Sequence, residues 1–199
     1  VLIPYRQAHP EVSIFFKECL LDDLNQRLSH EQIDFSVIPS NISTEQQQNH
    51  FFYAENLYYL PQESGSNPQK VFQYRINELP EAQVILTGGG CGLNGYLEHI
   101  FKQEKAKLQS YPGQALSYKV IEEWASLGIG AGILPKAKIS TENKMARPLL
   151  LSNGQMASFS YEWVWRNDMS ARQDMVDFID YITNTIPALI RGEQQLAAA

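Results

Sequence analysis

The chain has 199 residues, of which 44% are apolar and 11% are aromatic, and its formal net charge is −6. This length gives either one large domain or two small ones with an ample apolar core, and the aromatic content excludes a disordered chain. The acidic balance excludes nucleic-acid binding by this chain, because phosphate contacts need clustered cations.

The cysteine content and the lack of long apolar stretches indicate the compartment. Cys19 and Cys91 are too few for a disulfide framework, which is typical of a reducing cytoplasm. No uncharged apolar stretch is long enough to span a bilayer, and no basic segment followed by an apolar one opens the chain. We therefore expect a cytoplasmic protein with no membrane partner.

The first third of the chain alternates strand-like and helix-like patterns. Residues 12–16 are rich in β-formers, and four leucines between positions 20 and 28 fall on one helical face. Residues 33–39 (IDFSVIP) form a short apolar run ended by proline, which predicts a strand buried on both faces. A polar loop then leads to an aromatic strand pair within 51–60, and residues 62–69 (QESGSNPQ) predict a linker.

The middle of the chain repeats this alternation. Residues 82–87 predict a strand, 96–108 a helix, and a further short strand ends at Leu116. Ser117 is the expected N-cap of the next helix, which Gly128 closes before a buried strand at 129–134. The apolar face predicted for that helix consists of Val120, Ile121, Trp124 and Leu127.

The end of the chain predicts a strand and a last helix. Aromatic residues alternate with others over 159–165, which indicates a half-exposed strand. The repeated β-α-β units predict a largely parallel sheet, and the linker favours two lobes over one. The last helix is predicted to bury one stripe: Met175, Phe178, Ile179, Ile182 and Ile186.

A glycine-rich segment, TGGGCGLNG at 87–95, lies between a predicted strand and a predicted helix. Gly90, Gly92 and Gly95 match the GxGxxG pattern of dinucleotide-binding folds, but no acidic residue follows at the spacing that a ribose contact requires. Successive glycines let backbone amides and a helix N-terminus face a ligand, often an anion. A ligand-facing turn is favoured over a turn without a ligand, and a nicotinamide enzyme remains an alternative.

The other residues with reactive or titratable side chains do not form a recognisable catalytic site. Cys91 at a helix entry suits either a pocket-lining thiol or a redox-sensing thiolate. The four histidines lack metal-ligand spacing, and no nucleophile motif is present, so we expect no metal, no cofactor and no enzymatic activity. The carboxylate pairs Asp22–Asp23 and Glu122–Glu123 are expected to be solvated. The aromatic row at 159–165 could line a ligand cage, although cover for packed helices is the commoner use.

Several phrases, in order, resemble the LysR-type transcriptional regulators. Residues 125–135 (ASLGIGAGILP) are similar to the family's "AGLGIALLP" phrase, and 5–12 (YRQAHPEV) to its "F...YPEV" phrase. Residues 33–38 (IDFSVI) resemble its "LDLAI" strand, and 161–168 (YEWVWRND) its "LVWRKD" strand. The glycine-rich segment stands where that family has a Gly-containing, often Cys-containing, strand-to-helix turn.

The resemblance implies a fold and a function. The fold is α/β and two-lobed, of the type II periplasmic-binding-protein kind, each lobe being a mixed sheet flanked by helices. Lobe I would comprise residues 1–62 and 157–199, and lobe II residues 63–156. The function would be that of an effector-binding domain, with a small molecule held between the lobes to control DNA binding and transcription. An exported solute-binding protein of similar fold and a thiol-based redox sensor remain alternatives.

The resemblance also implies partners and site residues. It implies homodimers, or tetramers of the full-length regulator, with DNA contacted only through a helix-turn-helix expected before residue 1. The family's first strand is expected there too. The family often has Arg shortly after the glycine turn, where this chain has Leu93 and Asn94, so a carboxylate or sulfate effector is not implied. The residues expected to line the ligand are Pro39, Ser40, Asn41, Gly89, Gly90, Cys91, Ser117 and Tyr118.

Overall fold

The computed structural model describes residues 2–40, 42–62 and 72–190, which divide into two compact units. One unit contains residues 1–53 and 160–199, and the other contains residues 54–159. Most of the linker predicted at 62–69, namely 63–69, and the predicted ligand residue Asn41 lie outside the described residues.

In the first unit, helices pack on both faces of a strand pair. The strand β1 (Phe35–Pro39) pairs antiparallel with the second part of β8 (Ser158–Arg166), and β8 also lies next to β2 (Gln47–Leu60). One face of β8 contributes Trp163 and Trp165 to a core with Ile182 and Ile186, whereas the other face places Val164 against Leu28 and Ile38. The elements of this unit are α1 (Ile3–Ala8), α2 (Leu21–Ser29), β1 (Phe35–Pro39), the start of β2 (Gln47–Leu60), most of β8 (Ser158–Arg166) and α5 (Gln173–Asp180).

The second unit combines antiparallel and parallel strand pairs with two helices. Its elements are β3 (Tyr74–Arg75), β4 (Val84–Thr87), α3 (Gly92–Gln103), β5 (Ser110–Ala115), α4 (Tyr118–Ser126), β6 (Gly132–Pro135) and β7 (Arg147–Leu150). β6 and β7 each pair antiparallel with the end of β2, whereas β3 pairs parallel with β7 and β4 pairs parallel with β5.

The helix at the end of the chain confirms its predicted stripe. Ile182 and Ile186 are fully buried, and Met175, Phe178 and Ile179 pack against the same cluster. A single π-helical stretch at Tyr181–Thr185 follows α5, and helix continues over 186–190. Long apolar periodicity is the most dependable secondary-structure signal, and here it gives the correct buried face.

Two strand predictions in the first unit are wrong. Residues 12–16 lie in a segment, 12–20, without helix or strand, and Phe15 and Phe16 in it are 90% and 82% exposed. No described strand pairs with this segment, and β-forming side chains alone do not hold an extended chain in a sheet. The predicted strand at 33–39 is β1, but it is not buried along both faces: Ser36 and Ile38 are buried on one face, whereas on the other Phe35 is half-buried and Val37 is exposed.

The sheets are mixed rather than largely parallel, and the aromatic strand pair within 51–60 is a single strand, β2. Parallel neighbours need a long crossover connection, which α3 supplies between β4 and β5. No described helix lies between β1 and β2, so repeated β-α-β units do not build this part of the chain. The strand predicted as half-exposed, β8, is buried on both faces at Trp163, Val164 and Trp165.

Element boundaries shift in the second unit. α3 begins at Gly92 and ends at Gln103 rather than spanning 96–108, and β6 occupies only the end of the predicted 129–134 strand. Leu116 lies just beyond β5 and is 95% exposed. Leu127, predicted on the apolar face of α4, is 73% exposed, and the buried positions of that helix are Ile121, Glu122 and Ala125.

Candidate functional site

A glycine turn, residues 88–90, connects the end of β4 to α3. Asn94 in the first turn of α3 holds this connection, because its Oδ1 accepts from the Thr87 backbone N–H (3.3 Å) and from Thr87 Oγ1 (3.1 Å). Asn94 Nδ2 in turn donates to the Thr87 carbonyl oxygen at 2.9 Å. Gly90 has φ of +82°, in the left-handed region that favours glycine. The glycine turn is thus fixed by a side-chain clamp and by one obligatory backbone conformation.

The start of α4 lies at the same sheet edge as the glycine turn. β4 and β5 are parallel, with Thr87 opposite Ala115, and the Gly88 N–H donates to the Ala115 carbonyl at 2.9 Å. Because parallel strands end at one edge, the residues after each strand lie side by side. Ser117 caps α4 by accepting from the Val120 N–H at 3.4 Å, which confirms the predicted N-cap. The N-termini of α3 and α4 therefore begin at a common edge, where backbone N–H groups favour ligand oxygens.

Two predicted ligand residues from these helix starts contact each other. The Cys91 Sγ lies 3.3 Å from the Tyr118 Oη, close enough for a hydrogen bond that either atom could donate. Both side chains are half-buried, and the adjacent Gly89 is exposed, with nothing within 4 Å of the position a Cβ would occupy. The structure thus brings Gly89, Gly90, Cys91, Ser117 and Tyr118 to one edge of the second unit.

The remaining described residues that the sequence predicts to line the ligand, Pro39 and Ser40, lie in the first unit at the end of β1. Pro39 is opposite Tyr161 on β8, and the Ser40 N–H donates to the Ser160 carbonyl at 3.0 Å. The Ser40 Oγ is shielded from solvent and has no hydrogen-bond partner among the described residues.

The prediction that Glu122 is solvated is wrong, since the residue is 5% exposed. Its carboxylate accepts from the Ser140 N–H (3.1 Å) and Oγ (2.7 Å), from Asn143 Nδ2 (2.9 Å) and from Lys119 Nζ (3.5 Å). Burial alone would raise the pKa of Glu122, but the hydrogen bonds from Ser140 and Asn143, with the Lys119 charge, lower it below its ordinary value. Glu122 thus joins α4 to the loop that follows β6.

A cavity of about 350 Å³ borders this network in the second unit. Its lining includes Lys119, Glu122, Ser140 and Asn143, together with Leu60 and Met145. The first four already bond to one another, so the polar groups that face the cavity are largely satisfied. We interpret the Glu122 network as structural rather than ligand-binding.

The other candidates from the sequence make no further site among the described residues. No group of three or more His, Cys, Asp or Glu side chains is arranged to hold a metal ion in the part of the chain that the structure describes. Trp163 and Trp165 of the aromatic row pack in the core against Ile182, which matches the helix-packing interpretation.

Two structural roles were not predicted from the sequence. Asn94 holds the glycine turn through its hydrogen bonds to Thr87, and Glu122 is a buried carboxylate. A Thr and an Asn seven residues apart across a strand–turn–helix junction are a usable signal for such a clamp. Glu122 had no comparable signal, because its partners lie 18 and 21 residues further along the chain.

Comparison with known proteins places the chain in a family. The LysR substrate binding domain family matches residues 1–187. Among curated proteins, none matches the chain at a significant level.

Solved structures of regulatory domains share the fold of this chain at low sequence identity. The BenM effector binding domain with its effector benzoate has a TM-score of 0.76 and 19% identity, covering 98% of this chain and 88% of that one. The CcmR regulatory domain of Synechocystis PCC6803 in complex with 2-PG has a TM-score of 0.72 and 13% identity, covering 93% and 88%. The reduced OxyR regulatory domain of Pseudomonas aeruginosa has a TM-score of 0.69 and 16% identity, also covering 93% and 88%.

The chain belongs to the LysR substrate binding domain family. This confirms the predicted class, a ligand-sensing regulatory domain of a LysR-type transcriptional regulator, and the predicted α/β fold class of the type II periplasmic-binding-protein kind. Among the described residues, no helix has both the length and the apolar character needed to cross a membrane.

Proposed function

We propose that this chain senses a small-molecule effector through the residues predicted from its sequence, and that effector binding controls the DNA binding of the regulator. One observation carries the proposal: the glycine turn, Cys91 and the start of α4 meet at the shared carboxyl edge of β4 and β5. That edge offers two helix N-termini, an exposed Gly89 and two polar side chains, a combination suited to binding. In the first unit, Ser40, which the sequence predicts to line the ligand, has a hydroxyl without a hydrogen-bond partner among the described residues.

The proposal includes how the sensor works in the cell. The effector favours one of two conformations, and the regulator transmits that shift as a change in DNA affinity. The domain acts in the cytoplasm as a homodimer without catalysing a reaction, and a helix-turn-helix segment of the regulator contacts the DNA. The division into lobe I (1–62 and 157–199) and lobe II (63–156) is part of the proposal.

A thermal-shift screen tests the proposal. Organic acids, amino acids, amines, sugars and inorganic anions are each added to the chain at increasing concentration. We expect at least one compound to raise the melting temperature progressively with its concentration, and the added free energy of unfolding is about 2.7 kcal/mol when the concentration is a hundredfold above Kd. Tyr118→Phe removes the hydroxyl near Cys91 and should weaken that response, whereas Tyr111→Phe serves as a control from the strand before α4. No response to any compound would contradict the proposal.

A second function, thiol-based redox sensing, is favoured by the Cys91–Tyr118 contact, because a phenol 3.3 Å away can donate a hydrogen bond to a thiolate. Cys91 and Cys19 are both free and half-buried, and they belong to different units. Peroxide would convert the Cys91 thiol to a sulfenic acid: the O–O bond breaks, an S–O bond forms, and one oxygen leaves as water.

Mass spectrometry after stoichiometric peroxide tests this alternative. We expect a 16 Da adduct, about the mass of one oxygen atom, on Cys91 and not on Cys19, with dimedone trapping the sulfenic acid. Tyr118→Phe should slow the reaction. Equal oxidation of Cys19 and Cys91 would remove the case for a dedicated sensor thiol.

A further inference from the structure

One face of the β1–β8 strand pair carries two polar side-chain atoms that lack partners. Among the described residues, the Ser40 Oγ and the Glu162 Oε2 are shielded from solvent and accept or donate no hydrogen bond. Native proteins leave few buried polar atoms unsatisfied, and each such atom calls for an explanation. One explanation is that these two atoms bind a ligand, and the chemistry of a carboxylate and a hydroxyl indicates which kind of ligand this would be.

The strand register places these two residues on the same face. Glu162 lies directly opposite Ile38, and the Ser40 N–H bonds to the Ser160 carbonyl, so Ser40 is one diagonal step from Glu162. Diagonal neighbours in an antiparallel pair are about 7–8 Å apart, a gap that one small polar group can bridge. The adjoining positions on this face, Ile38 and Val164, are buried against Leu28. Glu162 and Ser40 thus lie on the same face as the apolar residues Ile38 and Val164, towards the end of β1.

The charges nearby do not supply the missing partner. Arg166 donates to the Leu28 carbonyl and to Asp168, and its other ion pair is with Glu31. Arg27 on α2 donates to Gln32 through Nη1 and makes no ion pair with any described acidic group, although its Nε is also shielded and has no hydrogen-bond partner. A carboxylate oxygen accepts a hydrogen bond only from a donor, and the shielded Glu162 Oε2 has no donor among the described residues. The group that completes this face must therefore be a donor.

We infer that Ser40 and Glu162 form a subsite for a protonated nitrogen of the effector, an alkylammonium or a guanidinium. The inference rests on the proposed function, and it names the chemical class of the ligand. The cation donates to the Glu162 Oε2 and to the Ser40 Oγ, and its charge is opposite to that of the half-buried Glu162 side chain. An organic anion placed there would face a negative charge with no cation between.

The free protein gives the first test, through Glu162→Gln. The substitution removes the acceptor Oε2 that has no donor, so we expect it to raise the melting temperature of the unliganded chain by about 2–4 °C. The matched control is Glu45→Gln, which removes the same charge from an exposed turn of the same unit and should leave the melting temperature unchanged. A lower melting temperature for Glu162→Gln would show that the carboxylate has an internal partner, and it would overturn the inference.

Binding gives the second test, with n-butylammonium, putrescine and agmatine as cationic probes and butyrate and succinate as anionic ones. We expect at least one cationic probe to stabilise the wild-type chain saturably, with affinity falling at least about tenfold in Glu162→Gln but not in Glu45→Gln. No response to all three cationic probes, or equal affinity in Glu162→Gln, overturns the subsite. If an anionic or neutral compound of the broader screen then binds saturably, the subsite is contradicted but the proposed function is not. If no compound binds, both the subsite and the proposed function are contradicted.

Discussion

Replacing Glu122 by alanine is expected to lower the free energy of unfolding by about 3 kcal/mol, the scale on which losing one partner of a buried charged network destabilises a protein. The carboxylate is buried and accepts from Ser140, Asn143 and Lys119, so alanine leaves several donors without an acceptor. The half-buried Ser140 would lose the acceptor of both its N–H and its hydroxyl. Urea unfolding, followed by circular dichroism, measures the loss.

Glu123→Ala is the matched control for this substitution. Glu123 is the next residue on α4, and its side chain is exposed. Its replacement should change the free energy of unfolding by less than about 0.5 kcal/mol, as for most surface positions. Equal losses for the two variants would show that the Glu122 network does not stabilise the fold.

The same network predicts a pH dependence of stability. The pKa of Glu122 is lower in the folded chain than its ordinary value of 4.5, so the folded state binds this proton less readily than the unfolded state. The stabilisation is therefore complete above pH 4.5 and is lost as the pH falls through the lower pKa of the folded state. In Glu122→Ala this contribution is absent, so the stability difference between wild type and variant should shrink in acid.

Replacing Gly90 by valine is expected to cost about 2 kcal/mol of stability and to weaken effector binding. Its φ of +82° is costly for any residue with a Cβ and most of all for a β-branched one. Relief of this strain would turn the peptide groups of the glycine turn, which we propose to contact the effector. Urea unfolding measures the first effect, and calorimetric titration with a compound from the screen measures the second.

Gly89→Val is the control at the neighbouring position. A Cβ at Gly89 meets nothing within 4 Å, and its φ is not in the left-handed region. We expect stability to change by less than about 0.5 kcal/mol there. If Gly89→Val lowered the free energy of unfolding as much as Gly90→Val, backbone strain at Gly90 would not explain the loss of stability.

The features predicted well from the sequence are those set by local signals. Ser117 as a helix cap and the apolar stripe of the last helix depend on neighbouring residues, and both are confirmed. Gly128, with φ of +73°, follows α4 as its predicted end. The strand expected at 12–16 failed because a strand exists only with a partner, which composition does not reveal.

The site was predicted less completely than the fold. The glycines at 88–90 predicted the turn. The contact between Cys91 and Tyr118 depends on the parallel register of β4 and β5, which no local sequence pattern encodes. Glu122 and Glu162 were missed for the same reason. A carboxylate on an otherwise polar stretch looks solvated until the element that covers it is known.

Amide chemical-shift mapping of the ¹⁵N-labelled chain, titrated with a stabilising compound, tests the central claim most directly. We expect saturable changes in amide chemical shift that are largest at the proposed ligand residues, with weaker changes elsewhere. These residues are Gly89, Gly90, Cys91, Ser117, Tyr118 and Ser40. Shifts confined to other surfaces, with these amides unmoved at saturation, would contradict it.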